Sequence, residues 1–205
     1  GDLRHYLVRS LMNIIVKGTP EQEQHIVNEG GVWSLIQCLE SSKDSVVIAT
    51  IQALAKLATG KTKKHREKVL TNETILRFIE LLDSSHDICV ESSLSLLVTA
   101  TKSHIGMSDR GLIPPLTRIM KSPSRLHMLP VCSTLLRYVL EVYHPPIQDV
   151  IDGAILPTVI DIMNTNDDPT VQTNLAHVLT KLATSDQTGV IAKVDGLLSV
   201  LVTLL

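Results

Sequence analysis

Aromatic side chains are nearly absent from this sequence, with one Trp, one Phe and three Tyr among 205 residues. A sandwich of two sheets favours aromatic and β-branched residues in alternation, so that supply fits it poorly. A basic excess is lacking too. Nineteen Lys and Arg face 21 Asp and Glu, for a net charge of −2, which argues against a general nucleic-acid binder. No apolar run approaches the ~18 residues that span a bilayer, and no signal peptide opens the chain. The expectation is a soluble intracellular protein of the cytoplasm or nucleus, with no membrane partner. The three cysteines, Cys38, Cys89 and Cys132, form neither a CxxC nor a disulfide-like spacing and read as buried free thiols in a reducing compartment.

Catalytic signatures are missing as well. The eight His are scattered, with no pair in an HExxH arrangement, so no metal is expected. Gly60-Lys61-Thr62 ends like a phosphate-binding loop, but Ala55 stands where that loop needs Gly, and a helix precedes it instead of a strand. No nucleophile elbow is present. These absences predict no enzyme, no catalytic residues and no cofactor. Lys63-Lys64-His65-Arg66 matches a short nuclear-localisation pattern, but the segment aligns with an ordinary repeat loop, so a solvated charged turn is the expectation.

What the chain does have is repetition. One phrase recurs as VWSLIQCLESS at 32–42, ILRFIELLDSS at 75–85, LIPPLTRIMKSP at 112–123, ILPTVIDIMNT at 155–165 and LLSVLVTLL at 197–205. Its landmark residues Leu39, Leu82, Met120, Met163 and Leu205 are spaced by 43, 38, 43 and 42, the range of two- and three-helix solenoid repeats. Each phrase carries apolar residues at i, i+3, i+4 and i+7, the pattern of an amphipathic helix. A longer helix is predicted after each: 3–17, 44–60, 87–102, about 123–142 and 168–184. Short helices are predicted at 20–28, 63–71, 104–109, 146–152 and 186–194. That makes about fifteen helices in five sets and no sheet.

The helix ends are marked in the sequence. Thr19-Pro20-Glu21-Gln22 is a capping box. Asp168-Pro169 and Ser122-Pro123 each set a capping side chain before a Pro at the first helical position, and Asp44 and Asp87 stand where they can cap the second and third long helices. Gly31, Gly111, Gly153 and Gly196 precede the recurring phrase, where Gly permits a tight turn. Pro130 falls inside the fourth long helix and should kink or split it. The fold class is therefore an all-α, right-handed α-solenoid of about five repeats in a single domain, 1–205. The first long helix, 3–17, belongs to a partial repeat. Repeats follow at about 18–60, 61–102, 103–142 and 143–184, with a partial one at 185–205. An array that opens on a long helix and closes on a middle one is expected to be a fragment of a longer array, with apolar surface exposed at both ends.

The unit of short helix, "GA-ILP-xxI-xIM" helix and long helix resembles the armadillo repeat, and it is most similar to the central repeats of importin-α. LVRSLMNIIVKGTPEQ at 7–22 is similar to that family's long helix with its following turn. HREKVL at 65–70 resembles its short helix, and VQTNLAHVLTKLATSDQT at 171–188 resembles another long helix. The likeness runs along the whole chain, in the same order. It implies a concave groove lined by the long helices, on which a Trp and an Asn four residues later form two parallel ladders. In that family the Asn side chains hold a peptide backbone, and the Trp pairs form slots for Lys and Arg stems, helped by cation–π attraction.

The chain departs from that ladder. The Trp-equivalent positions hold Arg9, Gln52, Ser95, Ser133 and His177, and the Asn-equivalent positions hold Asn13, Lys56, Thr99, Arg137 and Lys181. Only Asn13 is retained. The single Trp, Trp33, falls on a middle helix and is expected to pack in the core or at its edge. The ten ladder positions carry Arg9, Lys56, Arg137, Lys181 and one His, and no acid, while Glu91 and Glu141 lie one turn away. A wall of one sign focuses its field on what enters, and Arg pairs bidentately with carboxylate or phosphate. The resulting expectation is a peptide-binding scaffold for a protein or peptide partner of acidic or phosphorylated character, which has lost recognition of basic import signals. Two alternatives stay open at this stage. One is a diverged nuclear-import cargo adaptor, and the other is a nucleotide- or small-molecule-sensing armadillo domain in which Arg9, Lys56 or Arg137 meets phosphates.

Overall fold

A computed structural model describes residues 2–60, 62–103, 110–142 and 145–186, together with 189, 194, 196, 197, 199 and 202. Among these residues are twelve α-helices, two 3-10 segments and no strand. In chain order they are α1 (Asp2–Lys17), α2 (Pro20–Asn28), α3 (Gly31–Cys38), α4 (Asp44–Thr59), α5 (Lys63–Val69) and α6 (Asn72–Glu80). They continue with α7 (Asp87–Lys102), α8 (Ile113–Lys121), α9 (Leu129–Glu141), α10 (Ile147–Asp152), α11 (Ile155–Thr165) and α12 (Pro169–Ala183). The short helix expected at 104–109, most of those at 186–194 and 197–205, and the landmark Leu205 lie outside the described residues.

The contacts cluster into two compact units, 1–100 and 101–205. In the first, the long helix α1 packs on the next long helix α4, α3 and α5 pack on α4, and α2 joins α1 to α3. In the second, α9 packs on α12, α8 on α11 and α9, and α11 on α10 and α12. Long helix thus lies on long helix one repeat apart in each unit, as the recurring phrase requires. The apolar faces meet as predicted. Cys38, Leu39, Leu54, Leu82, Leu97, Leu135, Ile162 and Leu179 are all buried, and so are the landmarks Met120 and Met163.

The helix starts follow local chemistry with two corrections. Thr19 and Gln22 close the capping box, with Thr19 N donating to Gln22 Oε1 (2.9 Å) and Gln22 N to Thr19 Oγ1 (3.4 Å). Asp168 Oδ1 accepts from Thr170 N and Val171 N, which satisfies donors that a helix start otherwise leaves without partners. Asp44, however, is already the first helical residue of α4, after Lys43, and there its carboxylate meets the positive end of the helix dipole without capping it. Ser122 does not cap either; its hydroxyl pairs with Ser124 Oγ. Pro130 splits its helix as expected. A 3-10 segment, Pro123–Met128, gives way to α9 with Pro130 in the first turn, where a missing N–H costs little.

The turns into the middle helices α3, α8 and α11 share one conformation, whereas α6 follows Thr71 in extended backbone, φ −81°. Nine residues before the landmarks Leu39, Met120 and Met163 stand Gly30, Gly111 and Ala154, with φ of 81°, 70° and 50°. The left-handed residue of the first turn is therefore Gly30. Gly31 answers a different demand, because a Cβ there would lie 2.5 Å from Ile26 Cγ2 and 2.7 Å from Ile26 O. Gly153 is likewise a close-approach glycine, 2.5 Å from Ile113 Cγ2 by the same measure. Among the described residues Ala154 alone adopts left-handed backbone with a Cβ, which costs an L-residue about 1–2 kcal/mol. Ala154 is exposed, so Ala154→Gly removes that strain without losing packing. The expected result is a gain of about 0.5–1 kcal/mol after the entropy cost of Gly. Thermal unfolding followed by circular dichroism checks it, and an unchanged or lowered Tm contradicts the assignment.

Candidate functional site

The outer stripes of the long helices carry the ladder positions. On α4, beyond the exposed first residue Asp44, solvent reaches Ser45, Ile48, Gln52, Ala55, Lys56 and Thr59, and the other residues are buried. These recur every three to four residues and so form one face. Gln52 is half-buried on that stripe and Lys56 is exposed. Arg9 and Asn13, the equivalents on α1, are both exposed, and α1 packs directly on α4. Among the described residues neither Arg9 nor Lys56 has an ion-pair partner. On α7, Ser95 is exposed, and the half-buried Thr99 turns its hydroxyl back to Ser95 O at 3.0 Å, a local bond typical of mid-helix Thr.

The second unit is organised differently. Ser133 departs from expectation because it is fully buried. Its hydroxyl donates to Pro130 O (3.1 Å) and accepts from Asn174 Nδ2 (3.2 Å). Asn174 is itself buried on α12 and donates also to Thr134 Oγ1 (2.9 Å). Buried amides require such partners, and the pair α9–α12 supplies them. Arg137 is held by its own helix. Its Nε donates to Glu141 Oε1 at 2.7 Å, its Nη1 to Asn174 Oδ1 at 3.4 Å, and its guanidinium lies 5.7 Å from the Tyr138 ring centre. Its hydrogen bond to the Glu141 carboxylate raises the guanidinium's already high pKa. Arg137 thus brings its own counter-ion to the surface. His177 and Lys181 on α12 are exposed.

Other candidates resolve into structure. In Lys63-Lys64-His65-Arg66, His65 is buried against Glu23 Oε1 (2.7 Å) and Gln24 Oε1 (3.0 Å), and Arg66 donates to the Ala58 and Gly60 carbonyls. Only Lys63 and Lys64 are exposed, and Lys63 pairs with Glu67. The segment is a helix tied to its neighbours, not an extended basic signal. The three cysteines are free and buried, and burial pushes the Cys89 thiol up and Cys132 to about 12, which suppresses the reactive thiolate. Among the described residues no cluster of three or more His, Cys, Asp or Glu could hold a metal ion, and no helix is long and apolar enough to cross a membrane.

Trp33 corrects the sequence expectation, since it is 68% exposed between two hollows of 450 and 430 Å³ in the first unit. Its repeat equivalents Leu76, Pro114 and Pro157 are exposed too. The position is thus an outward-facing one in every repeat where it is described, and no core position.

No family model matches the chain, and no curated protein matches it. Solved structures do. A designed armadillo repeat protein in complex with the peptide (KR)4 aligns with a TM-score of 0.74 at 16% identity, covering 96% of this chain and 83% of that one. A crystal structure described as an engineered protein aligns with a TM-score of 0.75 at 21% identity, covering 98% and 81%. Computationally designed armadillo repeat proteins for modular peptide recognition align with a TM-score of 0.69 at 16% identity, covering 85% and 73%. The fold is that of the armadillo repeat, within the all-α solenoid class.

Proposed function

We propose that this chain is a protein-interaction scaffold that binds an extended acidic or phosphorylated peptide on the solvent stripes of its long helices. The observation that carries the reading is the α1–α4 surface of the first unit. There Arg9 and Lys56 stand exposed without a carboxylate partner, beside the amides of Asn13 and Gln52. Amides at such positions can bond a peptide backbone, and unpaired cations attract carboxylate or phosphate. The structural neighbours include an armadillo repeat protein bound to (KR)4, which supports a peptide as the kind of partner. At Arg9, Lys56 and Lys181 the sign of the surface here suits the opposite kind of peptide. Kinship with importin-α belongs to the same proposal and is supported by the sequence phrases alone.

The test is a comparison of labelled peptides by fluorescence anisotropy. An Asp/Glu-rich peptide and its phosphoserine counterpart are expected to bind, and (KR)4 to bind weakly or not at all. Without Trp slots a basic peptide loses cation–π contributions of about 0.5–2 kcal/mol each, and it meets like charge. Tighter binding of (KR)4 than of the acidic peptides would overturn the reading in favour of an import-type adaptor. Binding of a nucleotide with no peptide bound would favour the sensor instead.

A further inference from the structure

The joint between consecutive middle helices is filled in one pair of repeats and open in another. In the first unit, α6 sends Arg77 across to the end of α3. Its Nη2 donates to Leu39 O at 3.0 Å, its Nη1 donates to Glu80 Oε2 at 2.7 Å, and its Nε lies 3.7 Å from Glu40 Oε1. One guanidinium thereby ties two repeats through a carbonyl and two carboxylates. Eighty-one residues on, in the second unit, the places of Leu39, Glu40, Arg77 and Glu80 are held by Met120, Lys121, Thr158 and Asp161. A carbonyl and one carboxylate are retained. The guanidinium is not, because the Thr158 side chain is too short to cross the joint.

What stands there is a hollow of 480 Å³, lined by all four of these residues. That volume lies within the roughly 300–1,000 Å³ of sites that hold small ligands. Thr158 is 4% exposed, and its Oγ1 is buried without a hydrogen-bond partner. A helical Thr commonly bonds back to the carbonyl four residues earlier, as Thr117 Oγ1 does to Ile113 O. Four residues before Thr158 stands Ala154, which is in left-handed backbone ahead of the helix. A buried hydroxyl in this state calls for a partner. Asp161 is exposed and, among the described residues, has no ion-pair partner. Leu126, Leu129 and Ile162 add apolar wall.

We infer that this hollow receives an arginine side chain from a partner segment, whose guanidinium takes the place that Arg77 fills in the first unit. An arginine head offers its donors in a fixed fork to the Asp161 carboxylate, the Met120 carbonyl and Thr158 Oγ1. Its methylene stem covers the apolar wall. The exchange of Glu40 for Lys121 removes little attraction, since Glu40 is 73% exposed and 3.7 Å from Arg77. Lys121 instead repels a second cation. The residue that fits is therefore a lone arginine among uncharged neighbours, and not a basic run such as (KR)4. None of the ladder positions takes part.

The probe is a blocked pentapeptide with one Arg flanked by Leu and Gly, titrated against the isotopically labelled full chain and followed by its amide NMR signals. Shifts are expected at Thr158, Asp161 and Lys121, with a Kd of about 1 mM or tighter. Peptides with Lys or with citrulline (the same shape without the charge) are expected to bind at least about threefold more weakly. Asp161→Asn alters an exposed residue and should keep its helix content by circular dichroism while weakening the Arg peptide about threefold to tenfold. Thr158→Arg supplies its own guanidinium and is expected to abolish the shifts; if that variant loses helix, Asp161→Asn decides. Arg9→Ala/Lys56→Ala should leave this binding unchanged, so the ladder and the hollow are read separately. No shifts up to about 5 mM peptide, equal binding of the citrulline peptide, or full affinity in Asp161→Asn or in folded Thr158→Arg would each overturn the inference.

Discussion

Phe78→Ala is expected to destabilise the first unit by about 3–5 kcal/mol, the usual cost of emptying a buried aromatic site. Phe78 is the only Phe in the chain and is fully buried on α6, with Ile75, Ile79 and Leu82 buried beside it. A core built from aliphatic side chains has no second ring to slide into the void, and close-packed interiors relax only partly. Marginal stability makes such a loss visible as partial unfolding at ambient temperature. Urea denaturation of the wild type and the variant measures it. A loss below about 1 kcal/mol would mean that Phe78 does not fill the site assigned to it.

Asn174→Ala is expected to cost about 1–3 kcal/mol, through a polar network and not through apolar volume. The Asn174 amide donates to Ser133 Oγ and Thr134 Oγ1 across the α9–α12 joint and accepts from Arg137. Removing it leaves two hydroxyls with their bonds to Pro130 O but without a donor partner. Ser133→Ala should then cost measurably less in the Asn174→Ala background than in the wild type, because the two residues share one bond. Additive losses in the double-mutant cycle would show that the amide acts independently of Ser133.

The helices and their phases were legible in the sequence because they rest on local rules. Thr19 and Asp168 cap where their side chains reach the next backbone N–H groups, and α7 runs from Asp87 to Lys102 as its pattern requires. Leu39, Leu82, Met120 and Met163 fall in the core because one amphipathic period repeats. What escaped the sequence depends on partners distant along the chain. Ser133 holds a ladder position by counting, yet Asn174, forty-one residues on, draws it into the α9–α12 joint. A buried polar residue at that offset, three before His177, was the available signal. Arg137 and Glu141 stand one turn apart in the sequence, but only the structure shows the guanidinium committed to that carboxylate and to Asn174. Its place on a middle helix points Trp33 to the core or its edge, whereas its equivalents Leu76, Pro114 and Pro157 mark an outward position. The left-handed turn falls on Gly30 and not Gly31, a difference of one residue that composition does not distinguish.

The binding reading rests on which cations are free to meet a ligand, so the most direct measurement separates them. Affinity for an Asp/Glu-rich peptide is measured at low and at high salt for the wild type, for the Arg9→Ala/Lys56→Ala pair, and for Arg137→Ala. Unpaired surface cations contribute about 0.2–1 kcal/mol each to such contacts. The pair is therefore expected to weaken binding by roughly twofold to thirtyfold and to flatten the salt dependence. Arg137, already bonded to Glu141 and Asn174, is expected to change affinity little. An affinity indifferent to salt and to the Arg9/Lys56 pair, or one lost chiefly with Arg137, would contradict the account.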